Sequence, residues 1–155
     1  MKAVKAASAR KKLAAAEKAM TRKVFFQTKP DYEVAEMNFK NAALDFKLAK
    51  EIEQAIASYE RAAECAVQQK DLYNAADHLQ KAGKLALDER TPESTERALK
   101  IYDKASEYCQ GSHNIEGAVE LNYRLGRALL TRAPDKSCNT WSKQQIYLTS
   151  PKTVF

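Results

Sequence analysis

Residues 35–43, AEMNFKNAA, return as 55–63, AIASYERAA, as 75–83, AADHLQKAG, and as 98–106, ALKIYDKAS. Each copy opens on alanine, sets a large side chain four positions on, and closes on alanine followed by a second small residue. The four sets are Ala35, Phe39, Ala42 and Ala43; Ala55, Tyr59, Ala62 and Ala63; Ala75, Leu79, Ala82 and Gly83; and Ala98, Tyr102, Ala105 and Ser106. A degraded fifth copy holds Ala118, Asn122, Leu125 and Gly126, and the opening alanines stand 20, 20, 23 and 20 residues apart. Offsets of four and seven place the first three positions on one face of an α-helix, so every unit carries a stripe of small, large, small. Alanine or glycine lets a neighbouring backbone approach, and the ring or leucine between them fills the groove of the facing helix.

Twenty residues accommodate a helix of about fourteen plus a short turn, so successive units fold as antiparallel hairpins. The spacing predicts helices at 2–22, 31–48, 51–68, 71–88, 92–110 and 115–131. Asp31 and Asp71 are expected N-caps, Thr91 before Pro92 reads as an N-cap with proline at the first helical position, and Gly111 is expected to end its helix in left-handed geometry. A helix pair of about 40 residues is longer than the 34 of a tetratricopeptide repeat, but Ala-x3-Phe-x2-Ala resembles that repeat's second helix. The expected class is all-α, a tetratricopeptide-like right-handed solenoid of antiparallel hairpins with a concave binding side. An ordinary helical bundle with alanine-rich seams is the alternative.

Composition agrees. The 155 residues are 45% apolar with only four glycines and four prolines, which suits one helical domain. No apolar run approaches the ~18 residues that cross a bilayer, and the N-terminus lacks the apolar core of a secretory signal. Cys65, Cys109 and Cys138 lie far apart without Cys-x-x-Cys spacing, and read as reduced thiols in a cytoplasmic setting. The net charge of +6 is uneven: residues 1–30 carry +8, with nine basic residues against Glu17, and the rest carries −2. The basic end suits anionic lipid, acidic protein or nucleic acid.

Motifs for catalysis are missing from the sequence. It contains no Gly-x-x-x-x-Gly-Lys phosphate loop, Gly-x-Ser-x-Gly elbow or His-Glu-x-x-His site. His78 and His113 have no partner at ligand spacing. Cys109 and His113 stand four apart across Gly111, an outside candidate for a thiol–imidazole pair. The sequence therefore predicts no enzyme, no catalytic or metal-binding residue and no cofactor.

One short segment stands apart. Val24, Phe25 and Phe26 lie between Arg22, Lys23 and Lys29, just before Pro30. At a turn the rings can enter a headgroup region while the cations meet anionic lipid or an acidic protein surface. Equally, Phe25 or Phe26 can fold back to cap the first hairpin.

Residues 30–83 as a whole resemble the N-terminal helices of the soluble NSF-attachment proteins (SNAPs), most nearly the gamma type. The resemblance is carried by Lys29-Pro30-Asp31-Tyr32, the alanine- and lysine-containing run at 42–50, Glu53-Gln54-Ala55, and the run ending in Gly83. Leu13 to Lys18 is similar to the family's first helix, and Ala98 to Lys136 keeps its spacing. The resemblance implies a non-enzymatic adaptor of vesicle traffic, including ER–Golgi transport and membrane fusion, peripheral on endomembranes. Such adaptors lie along the four-helix SNARE bundle and recruit the ATPase NSF, which disassembles it. In the family an apolar loop after the first helix touches membrane, and Val24, Phe25 and Phe26 occupy that position.

Residues 1–136 are accordingly expected to form the repeat domain. Residues 137–155, SCNTWSKQQIYLTSPKTVF, lack the stripe and read as a loosely ordered, divergent tail, unless Trp141, Ile146, Tyr147 and Leu148 fold back as a cap. The expectation is of a shortened SNAP, with its NSF contact impaired. The competing reading is a generic repeat scaffold that binds another partner in its groove. A nucleic-acid partner is not expected, because only two aromatic residues accompany the basic run.

Overall fold

The computed structural model describes residues 1–21, 23–24, 27–28 and 30–130. The described residues form six helices: α1 Lys2–Met20, α2 Tyr32–Ala49, α3 Ile52–Gln68, α4 Leu72–Asp88, α5 Pro92–Gly111 and α6 Ile115–Leu130. Between α1 and α2 lie two two-residue strands, β1 Lys23–Val24 and β2 Gln27–Thr28, paired antiparallel with Lys23 opposite Thr28 and Val24 opposite Gln27. The predicted tail lies outside the described residues.

Each helix packs principally on those before and after it in sequence, as short connections require of antiparallel hairpins. Side chains two helices apart also meet. Met20 of α1 reaches Cys65 of α3 (3.7 Å between sulfurs), Glu36 of α2 reaches His78 of α4, and Arg97 of α5 reaches Glu53 and Glu60 of α3. The helices therefore form two layers, odd-numbered in one and even-numbered in the other, which is the all-α hairpin solenoid.

The seam between the layers is built from the repeated stripe. Ala35, Phe39, Ala42, Ala55, Tyr59, Ala62, Ala75, Leu79, Ala82, Ala98, Tyr102 and Ala105 are all buried, as are Ala118, Asn122 and Leu125 of the degraded copy. The close fit is clearest at Gly83 of α4. A Cβ there would lie 2.7 Å from the Tyr102 ring of α5, so the small residue makes room for the large one. Phe39, Phe46 and Ile56 fill the largest spaces.

The caps explain where the helices start. Asp31 accepts from the Val34 amide at 3.2 Å and Asp71 from Asn74 at 2.9 Å. Thr91 and Ser94 bond each other's backbone amides reciprocally behind Pro92, and Asn114 accepts from the Gly117 amide. These contacts satisfy amides that a helix leaves open. α1 ends two residues earlier than its spacing predicts, because the amide and hydroxyl of Thr21 both donate to Glu17 and Lys18 carbonyls and close the last turn.

The expectation for Gly111 requires correction. It is the last helical residue, and the left-handed position falls two residues later, on His113 with φ 58°. The Asn114 amide bonds Cys109 O and the His113 amide bonds Gln110 O, a closure that needs the extra residues. Gly111 matters for space instead: a Cβ there would lie 2.8 Å from Leu72 Cδ1 at the start of α4. Lys50, Lys70 and Arg90 take the same left-handed geometry after α2, α3 and α4.

Candidate functional site

The first hairpin is held by one buried carboxylate. Asp45 of α2 is 5% exposed. Its Oδ2 accepts from Ser8 Oγ at 2.7 Å and from Lys12 Nζ at 2.5 Å, and Lys5 Nζ lies 3.6 Å from Oδ1. Ser8, Lys5 and Lys12 all belong to α1, spaced at three, four and seven so that one helix face presents them together. The Lys12 hydrogen bond, joined by that of Ser8, holds the Asp45 carboxyl below its ordinary 3.8 against the opposing effect of burial. Arg10 adds an exposed pair with Glu51 beside the α3 N-terminus.

At the other end of this hairpin the Asp31 amide donates to Ala19 O at 3.0 Å, tying the ends of α1 and α2 around the β1–β2 ladder. The ladder includes Lys23 and Val24 as backbone. Arg22, Phe25, Phe26 and Lys29 lie outside the described residues, as do the side chains of Lys23 and Val24, so their contacts are not on view. Because the helices alternate in direction, the start of α4 lies at this same end, where Tyr73 is exposed.

The two outer faces differ. On the odd-helix face, a groove of about 370 Å³ between α3 and α5 is lined by Glu60, Glu64, Arg97, Lys100 and Lys104 over Leu79 of α4. Arg97 bridges Glu53 and Glu60 across it. On the even-helix face, a cleft of about 300 Å³ between α4 and α6 includes Tyr73, Asp77, Gln80, Glu120 and Arg124 over Cys109 of α5. Its rim is laced with ion pairs, Asp77 with Lys81 and Glu120 with Arg124.

His78 has a partner that its sequence neighbourhood conceals. Its Nε2 lies 2.8 Å from Glu36 Oε1, the ring is buried, and Tyr59 stacks beside it at 6.4 Å. Nδ1 has no hydrogen-bond partner among the described residues. The pair ties α2 to α4 inside the wall and faces neither groove. Burial pushes the Cys65 thiol up to about 11 and raises that of Cys109, which keeps both protonated and poorly nucleophilic at neutral pH. Cys138 lies outside the described residues. Among the described residues no three His, Cys, Asp or Glu side chains stand close enough to hold a metal, and no helix is long and apolar enough to cross a membrane.

Two comparisons with known proteins bear on this arrangement. No curated protein matches the chain. The family described as "Soluble NSF attachment protein, SNAP" matches residues 3–148, which runs from the second residue of α1 through α6 and into the segment after Lys136. The proteins of that family are non-enzymatic adaptors that act with SNAREs and NSF in membrane traffic, and with nearly its whole length matched this helical-hairpin chain belongs to the SNAP family.

Proposed function

We propose that this chain is a gamma-type SNAP adaptor that lies along an assembled SNARE bundle, rests on the membrane through Val24, Phe25 and Phe26, and presents the bundle to NSF. The family match across residues 3–148 carries the reading. Two features of the chain support it. The elongated two-layer array gives a rod-like partner a long surface. Lys18 stands in the last turn of α1, next to the connection that includes Val24, Phe25 and Phe26, where Arg22, Lys23 and Lys29 add attraction to lipid headgroups or acidic SNARE side chains. ATP hydrolysis belongs to NSF, and the chain needs no cofactor and reads no nucleic acid. Its place is the cytoplasmic face of endomembranes, held peripherally.

The test is retention of the 155-residue chain on immobilised SNARE helices, assembled or separate, followed by addition of NSF and ATP. Preference for the assembled bundle supports the adaptor. Equal retention on both, or none, points to a scaffold with a different partner in its groove.

A further inference from the structure

The core-facing side of α2 is fully used: Ala35, Phe39, Ala42, Ala43, Phe46 and Ala49 are buried, Asp45 is taken by α1, and Glu36 by α4. On the opposite side stands a second apolar row. Val34 is 40% exposed, Met37 54%, Leu44 44% and Leu48 60%. With Asn41 between them the steps are 3, 4, 3 and 4, the spacing of a coiled-coil seam of about 21 Å. Single exposed apolar residues are ordinary, but a contiguous row on one helix face marks an interface.

We infer that this outer seam of α2 docks an acidic amphipathic α-helix supplied by another protein. The charge pattern selects the occupant. Glu33, Lys40 and Lys47 run beside the seam at one-heptad steps, all exposed, the two lysines in no ion pair among the described residues, so this flank is net basic, and the adjoining first 30 residues carry +8. The one carboxylate on the other flank, Asp45, is already matched by Lys5 and Lys12. A helix with glutamate or aspartate beside its own apolar seam completes this pattern.

Two other occupants fit less well. A second copy brings Lys40 and Lys47 with it, adds another +6, and shares only two heptads, a short contact for a stable dimer. A lipid surface would have to desolvate Asn41 in mid-seam, whereas a polar residue at one such position in a helix pair fixes register. The inference is independent of the adaptor reading. An assembled bundle buries its own seams and turns polar faces outward, so this site takes a helix whose apolar seam is free.

The experiment uses the whole chain and two synthetic peptides of three heptads, with leucine at the seam positions and one central asparagine. One carries glutamate at both flanking positions and the other lysine. Fluorescence anisotropy should show the acidic peptide binding at least tenfold more tightly than the basic one. Leu44→Glu, and separately Met37→Glu, should weaken it at least tenfold with unchanged helicity, and Lys40→Glu with Lys47→Glu should reverse the preference. Equal binding of the two peptides, or indifference to Leu44→Glu and Met37→Glu, overturns the site. A dimer in sedimentation that Leu44→Glu dissolves overturns it in favour of a second copy. Flotation with phosphatidylserine vesicles that Leu44→Glu abolishes overturns it in favour of lipid.

Discussion

Asp45 shows how one side chain can decide whether an end helix stays attached. α1 contacts the rest of the array mainly through α2, its core residues are alanines, and its polar grip converges on this carboxylate. Asp45→Asn keeps the shape, removes the charge and leaves Lys12 without its partner, so unfolding in urea should show a loss of about 1–3 kcal/mol. Because the folded carboxyl titrates below 3.8, its contribution is complete at neutral pH and fades as pH falls through 3.8 towards the folded value. Hydrogen exchange in α1 should accelerate over that acid range in the native chain, and the pH dependence should flatten in Asp45→Asn. A second residue works in the opposite sense. His113 holds φ 58° without being glycine, so His113→Gly should stabilise the chain by about 1 kcal/mol in thermal melts, since left-handed geometry is costly for a residue with a Cβ. A fall in stability would mean that the His113 side chain makes a contact worth more than the strain. Neither residue was legible beforehand. Asp45 looks like a solvated charge until α1 folds back over it from 33 to 37 residues away. The Glu36–His78 pair likewise joins residues 42 apart.

At the scale of helices, the 20-residue stripe was readable because it is local and periodic, and so were the caps at Asp31, Asp71 and Thr91, whose chemistry acts within three residues. The end of α5 was not. Glycine there is explained by Leu72, 39 residues earlier in sequence, and not by a left-handed turn. The stripe makes a direct prediction at α4 and α5. Gly83→Ala drives a methyl to within 2.7 Å of the Tyr102 ring, so the two helices must part or the ring must turn. The expected loss is about 1–3 kcal/mol by thermal or urea unfolding, although alanine favours helix. A stabilised Gly83→Ala would show that the Tyr102 ring yields freely. The connection between α1 and α2 has its own test. Replacing Phe25 and Phe26 by serine should reduce flotation with anionic vesicles severalfold and leave melting temperature and helicity unchanged. A marked drop in melting temperature would instead place those rings in the core.

For the molecule as a whole, the two-layer order follows from the stripe. Each unit has small residues where its neighbours approach and one large residue to fill the gap, and the pattern repeats in register. Shape alone allows many partners. The family match over residues 3–148 narrows them to SNAREs and NSF in general terms, and the adaptor reading adds that successive hairpins act together as one binding surface. Hydrogen exchange of the full chain, with and without an assembled SNARE bundle, tests that claim most directly. The account predicts slowed exchange on one face of at least three successive hairpin helices, recurring at the 20-residue period of the stripe. Protection confined to a single turn, or none at all, would contradict it.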